Sequence, residues 1–512
     1  MGTEASSDAD QARPAARSGK AGPRRIIPIS AADDHGSADE DGGWLSNYVA
    51  HRKVYPRAVT GRYARLRIAV VLLTQLVFYG LPWLQWNGRQ AVLFDLGARK
   101  FHLFGLVLWP QDFIYLAGLL IISALGLFFV TALAGRVWCG YACPQTVYTE
   151  VFLWIERWFE GDRVRRLRLD AAPMSLSKLA RKTGKHGVWI ALSLWTGFTF
   201  IGYFAPIREL GGQLATLSLG PWQWFWWLFY AFATWGNAGF LREQVCTYMC
   251  PYARFQGAMF DNDTMIVTYD QGRGDPRGSR PRRVDPASRG LGDCVDCTLC
   301  VQVCPTGIDI REGLQYQCIG CAACVDVCNG VMDRMGYARG LIRYTTGNAL
   351  AQRLAPAAIA RRALRPRVLI YGALLAALTV GLASSLALRN PLRADVIRDR
   401  NALGRPLADG GIENTYRLQL MNASERPLRV RVSASGNGIV VAGPAEYQVP
   451  AASNRAVALN LQLPAEARLP PGAHPVRLHI EATELADADA PADTAPRTLR
   501  PIEETATFLI PR

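Results

Sequence analysis

The chain contains the run Cys294-Val-Asp-Cys297-Thr-Leu-Cys300-Val-Gln-Val-Cys304 and, after a short linker, the run Cys318-Ile-Gly-Cys321-Ala-Ala-Cys324-Val-Asp-Val-Cys328. Both have the spacing C-x2-C-x2-C-x3-C, so the fourth cysteine of each run is set back by one extra residue. Eight thiols at two identical spacings are a strong signal for metal ligation. What these cysteines bind therefore decides the fold of this part of the chain.

This is the spacing of a bacterial two-cluster ferredoxin, in which three cysteines of a run hold one [4Fe-4S] cluster and the fourth reaches the other cluster. Structural zinc is the alternative, but zinc ribbons pair two C-x2-C knuckles across a longer gap and have no use for an interlocked fourth cysteine. Pro305 follows the first run and Asn329 the second, which leaves the ligands unaffected because proline is not one of them. The predicted ligand sets are Cys294, Cys297, Cys300 and Cys328 for one cluster, and Cys318, Cys321, Cys324 and Cys304 for the other.

Apolar segments without charged residues occupy 68–86, 113–134, 188–205, 222–240 and 368–388. Each has 18 to 22 residues, close to the roughly 20 that a helix needs to cross a bilayer. A buried helix of a large soluble protein is the alternative for any one of them. Five in one chain, with charged flanks, predict an α-helical membrane protein with five transmembrane helices.

Basic residues beside these segments predict the orientation of the chain. Arginine and lysine are abundant before the first segment, between the second and third, and before the fifth, whereas the loops 87–112 and 206–221 contain few. The net charge of +15 therefore belongs to the membrane flanks, and we expect no nucleic-acid partner. The N-terminus and the cysteine-rich insert are predicted to be cytoplasmic, where iron-sulfur clusters are at home, and everything after the fifth segment lies outside.

Four further cysteines form two matching motifs, Cys139-Gly-Tyr-Ala-Cys143-Pro144 and Cys246-Thr-Tyr-Met-Cys250-Pro251, each after a membrane segment. A spacing of four places both thiols on one face of a helix, and the proline suits the first turn of a new helix. The duplication indicates an internal repeat of two membrane hairpins that could bring four thiols together as a soft-metal or redox site. Cysteines that only pack, or that form disulfides, are the alternative.

The six histidines lie outside the five segments, which argues against a haem b held between membrane helices. A phosphate-binding glycine loop and a dinucleotide fingerprint are also missing from the sequence. We therefore expect the protein to receive its electrons from a partner.

Short alternating runs at 415–421, 427–433, 438–441, 455–463, 474–483 and 504–510 predict an antiparallel, Ig-like β-sandwich at the C-terminus. Residues 1–50 contain few large apolar side chains and are predicted to be disordered. The predicted domains are the tail at 1–50, a four-helix membrane domain with both C-x3-C-P motifs at 51–260, a ferredoxin domain with two [4Fe-4S] clusters at 261–365, the fifth transmembrane helix at 366–390 and the sandwich at 391–512.

The two C-x3-C-P hairpins, the double ferredoxin run, the stretch Gly-Tyr-Ala-Arg-Gly-Leu-Ile-Arg-Tyr-Thr-Thr at 336–346 and the sandwich together resemble the cytochrome c oxidase accessory protein family called CcoG, RdxA or FixG. The resemblance covers about residues 45–512 and every cysteine. It implies a protein of the bacterial inner (cytoplasmic) membrane, with a periplasmic C-terminus, that reduces Cu(II) to Cu(I) during maturation of cbb3-type cytochrome c oxidase.

With this function, two [4Fe-4S] clusters are the cofactors and copper is the substrate or a transient ligand. Copper suits a thiolate site because thiolates prefer Cu(I). The implied partners are a cytoplasmic electron donor, a copper carrier and assembly factors of the oxidase. The candidate catalytic and copper-binding residues are Cys139, Cys143, Cys246 and Cys250.

Two other functions fit the same motifs. A quinol dehydrogenase subunit of the NapH type has similar C-x3-C-P and ferredoxin parts, although the exported sandwich counts against it. A non-enzymatic assembly scaffold would use its clusters structurally and its sandwich to hold an oxidase subunit. Reduction of Cu(II) by the clusters, reduction of the clusters by quinol, or neither, distinguishes the three.

Overall fold

The computed structural model describes residues 53–399, 404–467, 469–485 and 497–511. The tail at 1–50, predicted to be disordered, lies outside these residues. The described chain forms a helical membrane part, a cysteine-rich insert, a single long helix and a β-sandwich, in that order. This is the order of the predicted parts.

The membrane part consists of nine α-helices within the described residues, and a small set of strands fills the loop between the first two. Its helices are α1 (Arg62–Gly80), α2 (Phe113–Ala134), α3 (Val137–Tyr141), α4 (Pro144–Glu160), α5 (Arg163–Ala171), α6 (Leu176–Ile201), α7 (Ile207–Ala215), α8 (Pro221–Gly236) and α9 (Pro251–Met259). Its strands are β1 (Gln85–Trp86), β2 (Arg89–Gln90), β3 (Val92–Asp95), β4 (Lys100–Leu103) and β5 (Leu106–Leu108).

The insert is closed by its own first and last strands, which pair antiparallel with Ile266 opposite Thr345 and Tyr269 opposite Ile342. Between them, short helices carry the cysteines around an apolar core that includes Val267, Leu341 and Ile342. The elements are β6 (Ile266–Tyr269), α10 (Gln271–Gly274), α11 (Leu299–Gln302), α12 (Ala323–Met335), β7 (Ile342–Thr345), α13 (Gly347–Gln352) and α14 (Pro356–Ala363).

A long helix, α15 (Pro366–Ala387), leads from the insert to the sandwich. One sheet has the order β12-β14-β10-β8, with β9 also paired to β10, and the other has the order β13-β11-β15-β16. The strands are β8 (Leu392–Arg398), β9 (Arg405–Pro406), β10 (Ile412–Asn422), β11 (Leu428–Ser435), β12 (Val440–Ala442), β13 (Glu446–Val449), β14 (Asn454–Leu463), β15 (Gly472–Glu484) and β16 (Ile502–Ile510).

The predicted sandwich is confirmed, because one apolar core joins the two sheets. Alternation sets the inner face: Leu428, Val430 and Val432 of β11 are buried, and the arginines between them are exposed. Tyr416 of β10 is also buried, and its hydroxyl donates a hydrogen bond to the carbonyl of Thr507 in the opposite sheet, at 2.7 Å. All six predicted runs lie in or overlap strands, whereas β8, β9 and β13 were not predicted.

Three helical stretches of the described chain are long and apolar enough to cross a membrane: Arg62–Trp83, Pro110–Ala134 and Pro366–Ala387. The buried share of their most apolar windows is only 17%, 0% and 6%, so their side chains face outward as lipid-facing residues do. These stretches coincide with the first, second and fifth predicted spans.

The other two predicted spans are helices, but they do not meet both the length and the hydropathy of a span. α6 ends at Ile201 rather than at 205, because the chain turns ahead of Pro206. Its first turns, from Leu176 to Gly187, are polar, which lowers the hydropathy of the helix. α8 ends at Gly236 and gives way to a π-helical turn at Asn237–Leu241. Three of the five predicted spans are therefore supported, and the spans at α6 and α8 stay predictions.

α2 and α15 pack antiparallel, with Gly118 beside Leu382 and Gly372 beside Phe129. The insert follows one end of this pair, where the Met265 N–H donates to the carbonyl of Leu133 at 3.1 Å. The sandwich lies at the other end. The two domains are thus held at opposite ends of the same helix pair.

Candidate functional site

Four cysteines of the insert line one cavity of about 370 Å³, together with apolar side chains such as Leu341 and Ile342. Cys294 and Cys300 are buried, whereas Cys297 is exposed. Three of the four come from the first run and the fourth from the end of the second. The four residues are Cys294, Cys297, Cys300 and Cys328.

A second cavity of about 350 Å³ is lined by Ile308, Ile310 and the other four cysteines of the runs. Cys300 also lines it, so the two cavities adjoin. This grouping suits a pair of [4Fe-4S] clusters, whose ligands each hold a different iron and stand farther apart than those of a single ion. The four residues are Cys304, Cys318, Cys321 and Cys324. The structure thus brings together the two sets that the spacing predicts, while ligation itself stays a prediction.

The backbone wraps each cavity in the same way. Thr298 and Ala322 occupy equivalent positions, directly after the second cysteine of each run, and both have positive φ, at 54° and 58°. Each of them also precedes a helix that carries the third cysteine, α11 or α12. Left-handed backbone is uncommon for residues other than glycine, and its repetition indicates that the equal spacing of the runs dictates equal local geometry.

The C-x3-C-P motifs differ in local structure. Cys139 lies in α3, whereas Cys246 lies in a π-helical turn, Val245–Met249. Cys143 and Cys250 are the residues directly before α4 and α9, and the following prolines start those helices, as the sequence predicts. Each motif thus turns the chain from one helix into the next with one thiol on either side of the turn.

The two motifs meet through Gln256, a fully buried residue of α9. Its Nε2 atom lies 3.3 Å and its Oε1 atom 3.5 Å from Cys139 Sγ, so the second hairpin touches the first. Burial raises the pKa of Cys139 to about 11. Burial likewise raises the pKa of Cys246 to about 12, and the nearby thiols of Cys143, Cys139 and Cys250 add to this shift.

The four hairpin thiols are neighbours but do not converge on a point. Among the described residues, no three side chains of histidine, cysteine, aspartate or glutamate stand close enough to hold one metal ion. The raised pKa values of Cys139 and Cys246 mean that binding a metal there releases protons. Copper at this site stays a prediction.

The first hairpin packs directly against the second cysteine cavity. A methyl group added to Gly140 would lie 2.9 Å from the Ile319 carbonyl oxygen and 3.0 Å from the Cys321 backbone. The Tyr141 hydroxyl donates a hydrogen bond to the Cys321 carbonyl at 3.4 Å. Cys139 itself belongs to an apolar cluster that contains Cys321 and Cys324.

Arg136 stabilises this contact between the first hairpin and the insert through hydrogen bonds. Its guanidinium donates to the carbonyls of Tyr316 and Cys318 in the insert, and to the carbonyl of Ala253 in α9 at 2.8 Å. One side chain therefore ties both hairpins to the loop of the second cavity. The sequence pattern assigned no role to Arg136. It gave none to Gln256 or Gly140 either, because their contacts join segments over 100 residues apart.

Comparison with known proteins agrees with these three parts. Residues 241–347 match a family model described as a 4Fe-4S dicluster domain, and residues 116–162 match one described as a 4Fe-4S binding domain. Residues 382–511 match the model of an IG-like fold at the C-terminal of FixG, putative oxidoreductase. The first two matches each include one C-x3-C-P motif, and the dicluster match includes all eight cysteines of the insert.

Related proteins cover most of the chain. It is 40% identical to nitrogen fixation protein FixG of Rhizobium meliloti over 76% of this chain and 80% of the relative. It is 40% identical to protein RdxA of Cereibacter sphaeroides over 82% of this chain and 90% of RdxA. It is 42% identical to protein RdxB of the same organism over 74% of this chain and 80% of RdxB. A crystal structure of a FixG-related protein from Vibrio parahaemolyticus, 20% identical, covers 24% of this chain and 97% of that one with a TM-score of 0.18.

Proposed function

Because the chain belongs to the family of FixG, RdxA and RdxB, we propose that this membrane iron-sulfur electron-transfer protein reduces Cu(II) to Cu(I) for the maturation of a cbb3-type cytochrome c oxidase. Copper is the substrate in this proposal. A cytoplasmic electron donor, a copper carrier and assembly factors of the oxidase are the proposed partners. The proposed location is a bacterial inner membrane, with the insert in the cytoplasm and the sandwich in the periplasm.

The eight cysteines of the two cavities are the proposed ligands of two [4Fe-4S] clusters. When bound, each cluster supplies a carrier for one electron, the number that reduction of one Cu(II) consumes. The chain's own contribution is to wall the second cavity with apolar side chains and backbone, and to leave Cys297 of the first cavity exposed. The exposed side is the proposed docking point of the donor.

The observation that carries the proposal is the contact between the first hairpin and the second cavity. Gly140 and Tyr141 touch the Cys321 backbone, so Cys139 is held beside the cysteines of that cavity. The four neighbouring thiols of the two hairpins are the proposed copper ligands: Cys139, Cys143, Cys246 and Cys250. Thiolates prefer Cu(I) over Cu(II), which raises the reduction potential of the bound ion and favours its reduction.

The test replaces Cys246 and Cys250 together by serine in the full-length protein. We expect unchanged iron content and loss of Cu(II) reduction, measured by trapping Cu(I) with a colorimetric chelator after chemical reduction of the protein. Met249→Ala, which changes an exposed neighbour, is the matched control and should keep the wild-type rate. An unchanged rate in the double variant with intact clusters would show that copper is reduced elsewhere and that these cysteines are structural.

A further inference from the structure

An open cavity lies where the segment before α1 crosses α1, α4 and α5. Val303 and Pro305, which flank Cys304, form one wall. Its polar lining consists almost entirely of guanidinium groups, and we call it the arginine cavity. Those groups belong to Arg57, Arg67, Arg157 and Arg166.

The carboxylates nearby are too few for these cations. Glu150, the acidic residue of the lining, is shared between Arg67 at 3.2 Å and Arg157 at 3.4 Å. Arg166 reaches Glu156 at 2.7 Å, and that carboxylate also serves Arg242 at 3.1 Å. Glu150 and Glu156 thus pair with four guanidinium groups, three from the cavity and that of Arg242. Arg57 is a fourth arginine of the cavity.

Other acidic side chains near the cavity are occupied. The Asp162 carboxylate accepts the Ala58 N–H at 3.0 Å, and Asp326 accepts the N–H groups of Tyr63 and Ala64 at the start of α1. Among the described residues, Arg57 has no ion-pair partner within 4 Å. The lining itself therefore has four arginines and one carboxylate, Glu150.

Two of the arginines also have unused donors. Arg67 and Arg166 are 8% and 1% exposed, and the Nε atom of each is buried without a hydrogen-bond partner among the described residues. A buried donor left unpaired costs roughly 1–3 kcal/mol. An anion with several oxygens satisfies such donors, and arginine binds phosphate through two N–H groups at once.

The opening of the cavity indicates where the anion comes from. Ile68 of α1 lines the cavity and is 41% exposed. Leu72 and Leu76 follow it at spacings of four residues on the same helix face, 57% and 72% exposed. Because α1 is one of the three supported spans, this apolar track leads from the arginines into the bilayer. The cavity thus offers a charged head site continuous with an apolar chain site.

We propose that the arginine cavity binds the phosphate headgroup of an anionic phospholipid, whose acyl chain lies along Ile68, Leu72 and Leu76. Basic pockets between membrane helices are known receptors for such headgroups. The bound lipid fixes the segment before α1 against the wall of the second cysteine cavity. This inference does not depend on copper reduction.

The test uses the full-length protein stripped of lipid in a neutral detergent and measures binding of phosphatidylglycerol and phosphatidylcholine by native mass spectrometry. Arg57→Gln with Arg157→Gln removes two cavity charges and should weaken phosphatidylglycerol binding about tenfold or more. The matched control, Arg165→Gln with Arg168→Gln, removes two exposed charges of α5 outside the cavity and should change it less than about twofold. Phosphatidylcholine should bind weakly to all three proteins.

Iron content verifies that each variant is folded. Arg57→Glu alone, at an exposed position, gives a second measure that does not disturb buried pairs, and it should also weaken phosphatidylglycerol binding. Equal losses in the two double variants would mean a diffuse surface effect and would refute the site. Displacement of phosphatidylglycerol by an equal concentration of inorganic phosphate would overturn the lipid assignment in favour of a free-anion site.

Discussion

The two ends of α2 are attached to the rest of the protein by different kinds of contact. At the insert end, backbone packs on backbone, with no room for a methyl group on Gly140. At the sandwich end, the buried Asp112 carboxylate holds Arg389 at 3.1 Å and Arg393 at 2.6 Å. Close packing fixes a separation to within tenths of an ångström, whereas ion pairs tolerate movement. We therefore expect electron transfer to depend on the distance at the insert end, and the sandwich to need only a tether.

The largest expected effect concerns the side of the membrane that each end faces. A reporter fused after Leu388 should be exposed outside the cytoplasmic membrane, and one fused near Asp275 should remain inside, because basic flanks stay in the cytoplasm. Protease accessibility in intact spheroplasts measures this all-or-none difference. Reporters with the reverse accessibility would invert the proposed orientation. Reporters on the same side would contradict the placement of the insert and the sandwich on opposite sides of the membrane.

Next in size is the loss of a cluster ligand. Cys321→Ala and Cys297→Ala should each lower the iron content from about eight atoms per chain towards four, or further because the two sets exchange their fourth ligands. Iron analysis and the electron paramagnetic resonance signal of the reduced protein measure the loss. Cys250→Ser should keep all the iron. Zinc in place of iron in the wild-type protein would contradict the cluster assignment.

At the sandwich end, Asp112→Asn leaves two arginines without their carboxylate. We expect a loss of about 3 kcal/mol in docking of the sandwich, the usual cost of breaking a buried ion pair from one side. Faster proteolysis of the link between α15 and β8 would report it, with iron content unchanged. Asp395→Asn, at an exposed position of β8, is the control and should be cleaved at the wild-type rate.

At the insert end, Gly140→Ala should lower the rate of Cu(II) reduction by about tenfold while the clusters remain, because the added methyl forces the hairpin away from Cys321 and misplaces the reacting groups. Gly187→Ala, where a methyl group meets open space, is the matched control. A wild-type rate for Gly140→Ala would remove the reason for distinguishing the two ends of α2.

Sequence alone was most informative where spacing dictates geometry. The identical C-x2-C-x2-C-x3-C runs predicted which cysteines share a cavity, and alternation predicted six strands of the sandwich. Local pattern was weaker for α6 and α8, because a turn after Ile201 and a π-helical turn at Asn237–Leu241 interrupt segments whose sequence is continuously apolar. Arg136 and Gln256 could not be given their roles, since each acts across a contact between distant segments that no local pattern records.

The pairing of β6 with β7 has a consequence for the order of synthesis. Every cysteine of the two cavities lies between these strands, and the α1 and α3 surfaces on which the insert packs precede it in the chain. Once residue 345 has been synthesised, the chain therefore already contains all eight cysteines and the α1 and α3 surfaces on which the insert packs. Domains fold as units during translation, so we expect iron-sulfur assembly to proceed without α15 or the sandwich, which are synthesised afterwards.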